Sequence, residues 1–252
     1  MLIQNRGIFQ VMDEGFFPVF FYTLYVLEGN YLEFKASVKK YVDLGMKNEY
    51  QNDSSKLIEL HINGGREIAR HIHNYAAAAM SLVDHSRRAE GKLKEHSLEC
   101  MRLFCNEYRS RLDVYLKDTL ENKFVGDLRR YVQHRKIPVP TLQFKYERID
   151  PQVSESGGVL CQETVSFQFH SKDIIDFDWS SKSRKYISEN RLIPVAQIID
   201  THFTKVKDFY LWIQFREQQL TSHPSAEIKD LTFEQWKQIT DNNFSLKVVY
   251  EF

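Results

Sequence analysis

Arg129 and His134 stand with four residues between them in the stretch LRRYVQHRKIP, residues 128–138. An imidazole exchanges a proton near neutral pH, and a guanidinium fork matches the oxygens of a phosphate. Together the two groups suit a reaction in which a base removes a proton beside an anion that gains charge, as when the 2′-hydroxyl of RNA attacks the neighbouring phosphate. Arg130, Arg135 and Lys136 add positive charge that would hold a nucleic-acid backbone, and Asp127 is the only acid close by.

Spacing alone does not select this pair. Arg66 with His71 or His73, and Arg216 with His223, also satisfy an Arg–His separation of four to six residues. Context selects it: Arg66 directly follows a glycine pair, and Arg216 to His223 runs off toward Pro224, whereas Arg129 and His134 share the last helix before Pro138. On a regular helix Arg130 lies on the same face as His134, while Arg129 points about 140° away. Arg129 and His134 therefore converge only at a distorted helix end or across an interface. The plainer alternative is that basic residues at a helix C-terminus meet the negative end of its dipole and are simply solvated.

The helical region that contains this stretch resembles the HEPN superfamily, over roughly residues 15–138. These are helical-bundle proteins in which Arg, four to six residues, then His marks a metal-independent ribonuclease site. The resemblance implies Arg129 and His134 as catalytic residues, with Arg130, Arg135 and Lys136 binding RNA. It further implies a homodimer that brings two copies of the motif together, and a role as a toxin or an effector of antiviral defence, with an antitoxin or other regulatory protein as a partner. The family often has Asn or Asp directly after the arginine, where this chain has Arg130. That departure leaves open whether Arg129 or Arg130 is the functional arginine. It also keeps a noncatalytic helical module, binding RNA or protein, as the alternative.

The elements that must position these residues follow from periodicity. Pro18 suits a first helical turn, and apolar residues continue at helical spacing through YLEFKASVKKYVDL. Asp53, Ser54 or Ser55 is an N-cap candidate, and Asn63–Gly65 predicts a break. A helix from Arg66 is expected to end near Gly91, and a long amphipathic helix carries Leu98, Met101, Phe104, Cys105, Tyr108, Leu112, Tyr115 and Leu116 on one stripe. A last short helix holds the Arg–His motif.

After Pro138 and Pro140 the pattern changes. TLQFKYERI and LCQETVSFQF alternate with period two around a turn-rich DPQVSESGG, which predicts a β-hairpin. A serine-capped short helix, a longer helix opened by Pro194, a capped tail helix and a terminal strand follow. The fold class expected is mainly α: a helical bundle over 1–138, with a smaller α+β part containing the hairpin over 139–252 packed on it.

Composition narrows the class of function. Lys plus Arg and Asp plus Glu both number 34, so any polyanion must be bound by a local patch rather than by a global field. No phosphate-binding glycine loop, GxSxG elbow, HExxH or CxxC occurs, which argues against the usual nucleotide hydrolases, α/β hydrolases and zinc proteins. No metal or cofactor is expected. Three cysteines without a pairing pattern fit a reducing, cytoplasmic compartment, and the apolar run GFFPVFFYTLYVL is shorter than the roughly 20 residues of a membrane span. Asn74, Asp84, His85, Arg87 and Arg88 read as a solvated helix face, His170 and His202 as structural histidines, and the Phe203, Val206, Phe209, Tyr210, Ile213 stripe as core or interface.

Overall fold

The computed structural model describes residues 17–148 and 161–222. Within them the chain is mainly helical, with a smaller α+β part that contains a three-stranded antiparallel sheet. Helix α1 (Phe17–Gly45) leads through the short α2 (Asn48–Gln51) into the long α3 (Ser54–Lys94). Then come α4 (Glu99–Leu112), a π-helical segment (Asp113–Lys117) and α5 (Leu120–His134). Beyond the prolines lie β1 (Thr141–Arg148), β2 (Cys161–His170), α6 (Ser171–Ile174), α7 (Ser181–Glu189), β3 (Leu192–Ile193) and α8 (Val195–Ser222).

Helix α1 packs along α3, and its fully buried Phe20, Leu27 and Phe34 recur every seven residues. Asp53 caps α3, its carboxylate accepting from the amides of Ser55 and Lys56 at 3.0 and 3.1 Å. Helix α8 begins directly after Pro194 and sinks Phe203, Val206, Phe209, Tyr210 and Ile213 among α1, α4 and α5. Each such side chain adds about 1.5–3 kcal/mol by leaving water. The hydrophobic core thus runs without interruption from the helices before Pro138 to the last described helix.

The hairpin forms as its alternation predicts, with Leu142 opposite Phe167 and Phe144 opposite Val165. Its buried face rests on the end of α1 and the start of α3. The turn between the strands, the capped tail helix and the terminal strand expected near the C-terminus lie outside the described residues.

Two expectations are corrected. Asn63–Gly65 does not break the helix: α3 runs straight through it and passes Gly91 by three residues before ending at Lys94. The glycines are there for close packing. A Cβ on Gly65 would stand 2.9 Å from the Pro140 carbonyl oxygen and the Val139 side chain, and one on Gly64 would stand 3.1 Å from the Phe167 ring. Second, the long amphipathic stripe through Leu116 is not one helix. The ladder widens to π geometry at Asp113, stops at Asp118, and restarts at Thr119, whose hydroxyl caps α5 by accepting from the Asn122 amide.

Candidate active site

Helix α5 buries Phe124, Val125, Asp127, Leu128 and Tyr131, which fixes the direction of every other side chain on it. His134 is its last residue, and His134, Arg135 and Lys136 are all exposed. Arg129 is half-buried: its Nε is buried, yet among the described residues no hydrogen-bond partner reaches it.

The other two arginines are engaged. Arg130 donates to the Asp127 carboxylate, one turn back, and to the Asp178 carbonyl oxygen at 3.1 Å, with its guanidinium 5.9 Å from the Phe177 ring centre. Arg135 pairs with Asp176 at 2.7 Å across exposed surface, a contact worth about 1 kcal/mol at most. Both therefore tie α5 to the segment between α6 and α7. Tyr131 is core: it stacks on Trp179 at 5.6 Å and donates its hydroxyl to the Asp173 carbonyl at 3.1 Å.

Asp127 is the residue that sequence reasoning undervalued. Its carboxylate accepts from the Ser180 amide at 2.9 Å and the Ser180 hydroxyl at 2.6 Å, besides Arg130. Ser180 is the N-cap position of α7, but its hydroxyl makes no cap bond to the backbone of that helix; it donates to Asp127 on α5 and lies 3.0 Å from the Ser183 hydroxyl. Burial pushes the Asp127 carboxyl up, but the hydrogen bonds from Ser180, Arg130 and Ser183 outweigh it and hold the group below its ordinary value. The clue was present as an acid three residues before Arg130, although nothing local pointed to Ser180.

The remaining polar candidates divide. Asp84, Arg87 and Arg88 are exposed, as a solvated face requires, while Asn74 and His85 are half-buried. His202 is buried and bonded on both sides, to Tyr75 at 2.7 Å and to Asn122 at 3.4 Å. Among the described residues no cluster of His, Cys, Asp or Glu is placed to hold a metal, and no helix is long and apolar enough to cross a membrane.

Around α5, then, sit one half-buried guanidinium with a vacant donor, one exposed imidazole about 140° away around the helix, and two arginines held by acids or carbonyls. Comparison with protein-family models, with curated proteins and with solved structures finds no match to the chain.

Proposed function

We propose that the protein is a metal-independent endoribonuclease of HEPN type, with Arg129 binding the scissile phosphate and His134 as the general base. The observation that carries this is the buried, unpartnered Nε of Arg129. Among the described residues Arg129 makes no hydrogen bond or ion pair, so its outer nitrogens are free for a phosphate, and the buried Nε, which costs about 1–3 kcal/mol while unpaired, favours a rearrangement on binding that satisfies it. Arg130 is the weaker candidate, because Asp127 and the Asp178 carbonyl already occupy its fork.

In this reading His134 takes the proton of the ribose 2′-hydroxyl as that oxygen attacks phosphorus. The P–O5′ bond breaks, the 5′-oxygen is protonated by solvent or a second imidazole, and a 2′,3′-cyclic phosphate remains. Arg129 neutralises the charge on the non-bridging oxygens. Since Arg129 and His134 of one helix diverge, the groove is shared between two protomers, Arg129 of one facing His134 of the other.

The test is cleavage of single-stranded RNA and transfer RNA by purified protein in EDTA. Arg129→Ala and His134→Ala are each expected to lower the rate at least ~100-fold. An unchanged rate in either variant removes that residue from the mechanism.

The second reading is a noncatalytic module that binds RNA or a protein, and it draws support from the engagement of Arg130 and Arg135 in contacts within the chain. RNA binding without turnover, on a preparation whose binding weakens in Arg129→Ala, would favour it.

A further inference from the structure

The first turns of α5 face a different feature. Between α3, α4, the π-helical segment, α5 and α8 a cleft of about 370 Å³ opens to the surface, within the ~300–1,000 Å³ of small-molecule sites. Neither Arg129 nor His134 lines it.

Its interior is largely apolar, with Leu82, Leu116, Val125, Val206 and Phe209 among its walls. The polar groups inside are few and oriented. The Asn122 carbonyl oxygen can only accept, so the His202 Nε2 facing it at 3.4 Å carries the hydrogen. In a neutral ring the Nδ1 must then accept from the Tyr75 hydroxyl at 2.7 Å. Burial pushes the imidazole pKa down to about 4, which keeps the ring neutral. This chain pins the Asn122 carbonyl and leaves its amide nitrogen with no hydrogen-bond partner among the described residues. Elsewhere in the cleft, the Ser86 and Tyr210 hydroxyls lie 2.6 Å apart.

Two backbone features meet at the same place. Gly126 sits inside α5, where glycine costs about 1 kcal/mol against alanine. A Cβ there would meet only Met80 Sδ, at an ordinary 3.8 Å, so packing does not demand glycine as it does at Gly65. The π-helical turn, a form frequent at functional sites, supplies Asp113, Leu116 and Lys117 to the opposite wall.

Charge at the mouth limits what can bind. Arg109 pairs with Glu90, and Lys117 with Asp113 at 2.8 Å, while Arg87 lies 3.5 Å from Asp84. With its cations matched by acids, the rim offers no field for a phosphate.

We propose that this cleft binds an uncharged, nucleoside-sized heterocyclic ligand, its flat face against the apolar walls, its edge accepting from the Asn122 amide, and its closest backbone approach at Gly126. The site goes beyond the nuclease reading and shares only α5 with it.

Calorimetric titration with adenosine, guanosine, cytidine and uridine, and with their 5′-monophosphates, tests it on the full chain. At least one nucleoside is expected to bind with a Kd below about 1 mM. Asn122→Ala should weaken that binding about tenfold, and Gly126→Leu should abolish it. Should Gly126→Leu fail to fold, Gly126→Ala is expected to fold and bind more weakly than the native chain. The proposal is overturned if none of the four nucleosides binds at that level, or if neither Asn122→Ala nor the folded Gly126 variant shifts the Kd. Binding of the monophosphates more than tenfold tighter than the nucleosides would overturn the uncharged class. RNA cleavage is read separately, so either result leaves the nuclease reading to its own test.

Discussion

Toward its C-terminus α5 carries Arg129, Arg130, His134 and, just beyond, Arg135 on a largely open surface; its first turns instead set Asn122, Val125 and Gly126 against an apolar cleft. At the open end charge is plentiful but mostly satisfied, by Asp127, Asp176 and a backbone carbonyl. At the enclosed end the charges are confined to the mouth, where Arg109 and Lys117 are paired with Glu90 and Asp113, and inside a neutral amide held by a neutral histidine provides the polarity. Having basic residues is therefore a poor guide to having available ones; the informative groups at either end are those left without a partner among the described residues, Arg129 Nε and the Asn122 side-chain nitrogen.

The largest effect expected at the open end is complementation. Arg129→Ala and His134→Ala, each inactive alone, should recover about a quarter of the native rate when mixed and allowed to exchange subunits, because half of randomly paired dimers carry one intact site of two. No recovery in a mixture shown to contain mixed dimers would mean that the two groups do not act across an interface.

Next comes Asp127, which stands between the two regions. Asp127→Ala strands the Ser180 amide, leaves the Ser180 hydroxyl with only Ser183, and releases Arg130, and should cost about 2–3 kcal/mol in urea unfolding. Arg130→Ala, which removes one half-exposed partner, should cost ~1 kcal/mol or less and spare RNA cleavage. A large loss of cleavage in a folded Arg130→Ala protein would transfer the role of Arg129 to Arg130.

At the enclosed end the expected response is to acid. His202 has a folded pKa of about 4 against an ordinary 6.5, so the unfolded chain takes up a proton that the folded chain refuses. The stability tied to the neutral ring is intact above about pH 6.5 and is lost as pH falls from there to about 4. Asp127, also held low, adds its own loss only below its ordinary 3.8. His202→Gln should flatten the slope of unfolding free energy between pH 6.5 and 4 and leave the more acidic limb unchanged. The smallest effect is Gly126→Ala, expected to raise stability by up to ~1 kcal/mol, as read by chemical denaturation, because helix propensity improves without a clash.

Periodicity made much of the fold legible. The three-four spacing of α3, the period-two alternation of Val165, Phe167 and Phe169, the Asp53 cap and the Pro194 start are local signals, and each element formed. The Asn63–Gly65 stretch misled because its glycines answer to Phe167 and Pro140, residues about 75 to 100 positions away, rather than to their own backbone. The π-helical widening at Asp113 was hidden because apolar spacing continues through Leu112 and Leu116 across it. Of the basic motif, the types and helix were readable, whereas the pairing of Arg130 and Arg135 depended on a later segment. The cleft could not be read at all, since its walls come from five elements and its key amide is held by a histidine 80 residues away.

The placement of α8 also governs how the protein is made. A nascent chain that has reached Pro138 already displays Phe20, Tyr75, Phe104 and Tyr108, but the aromatic rings that cover them belong to residues translated some 65 or more positions later. Until α8 leaves the ribosome the earlier helices present a greasy, unsealed surface, so premature termination or proteolysis in the intervening stretch should yield an insoluble fragment instead of a smaller working protein.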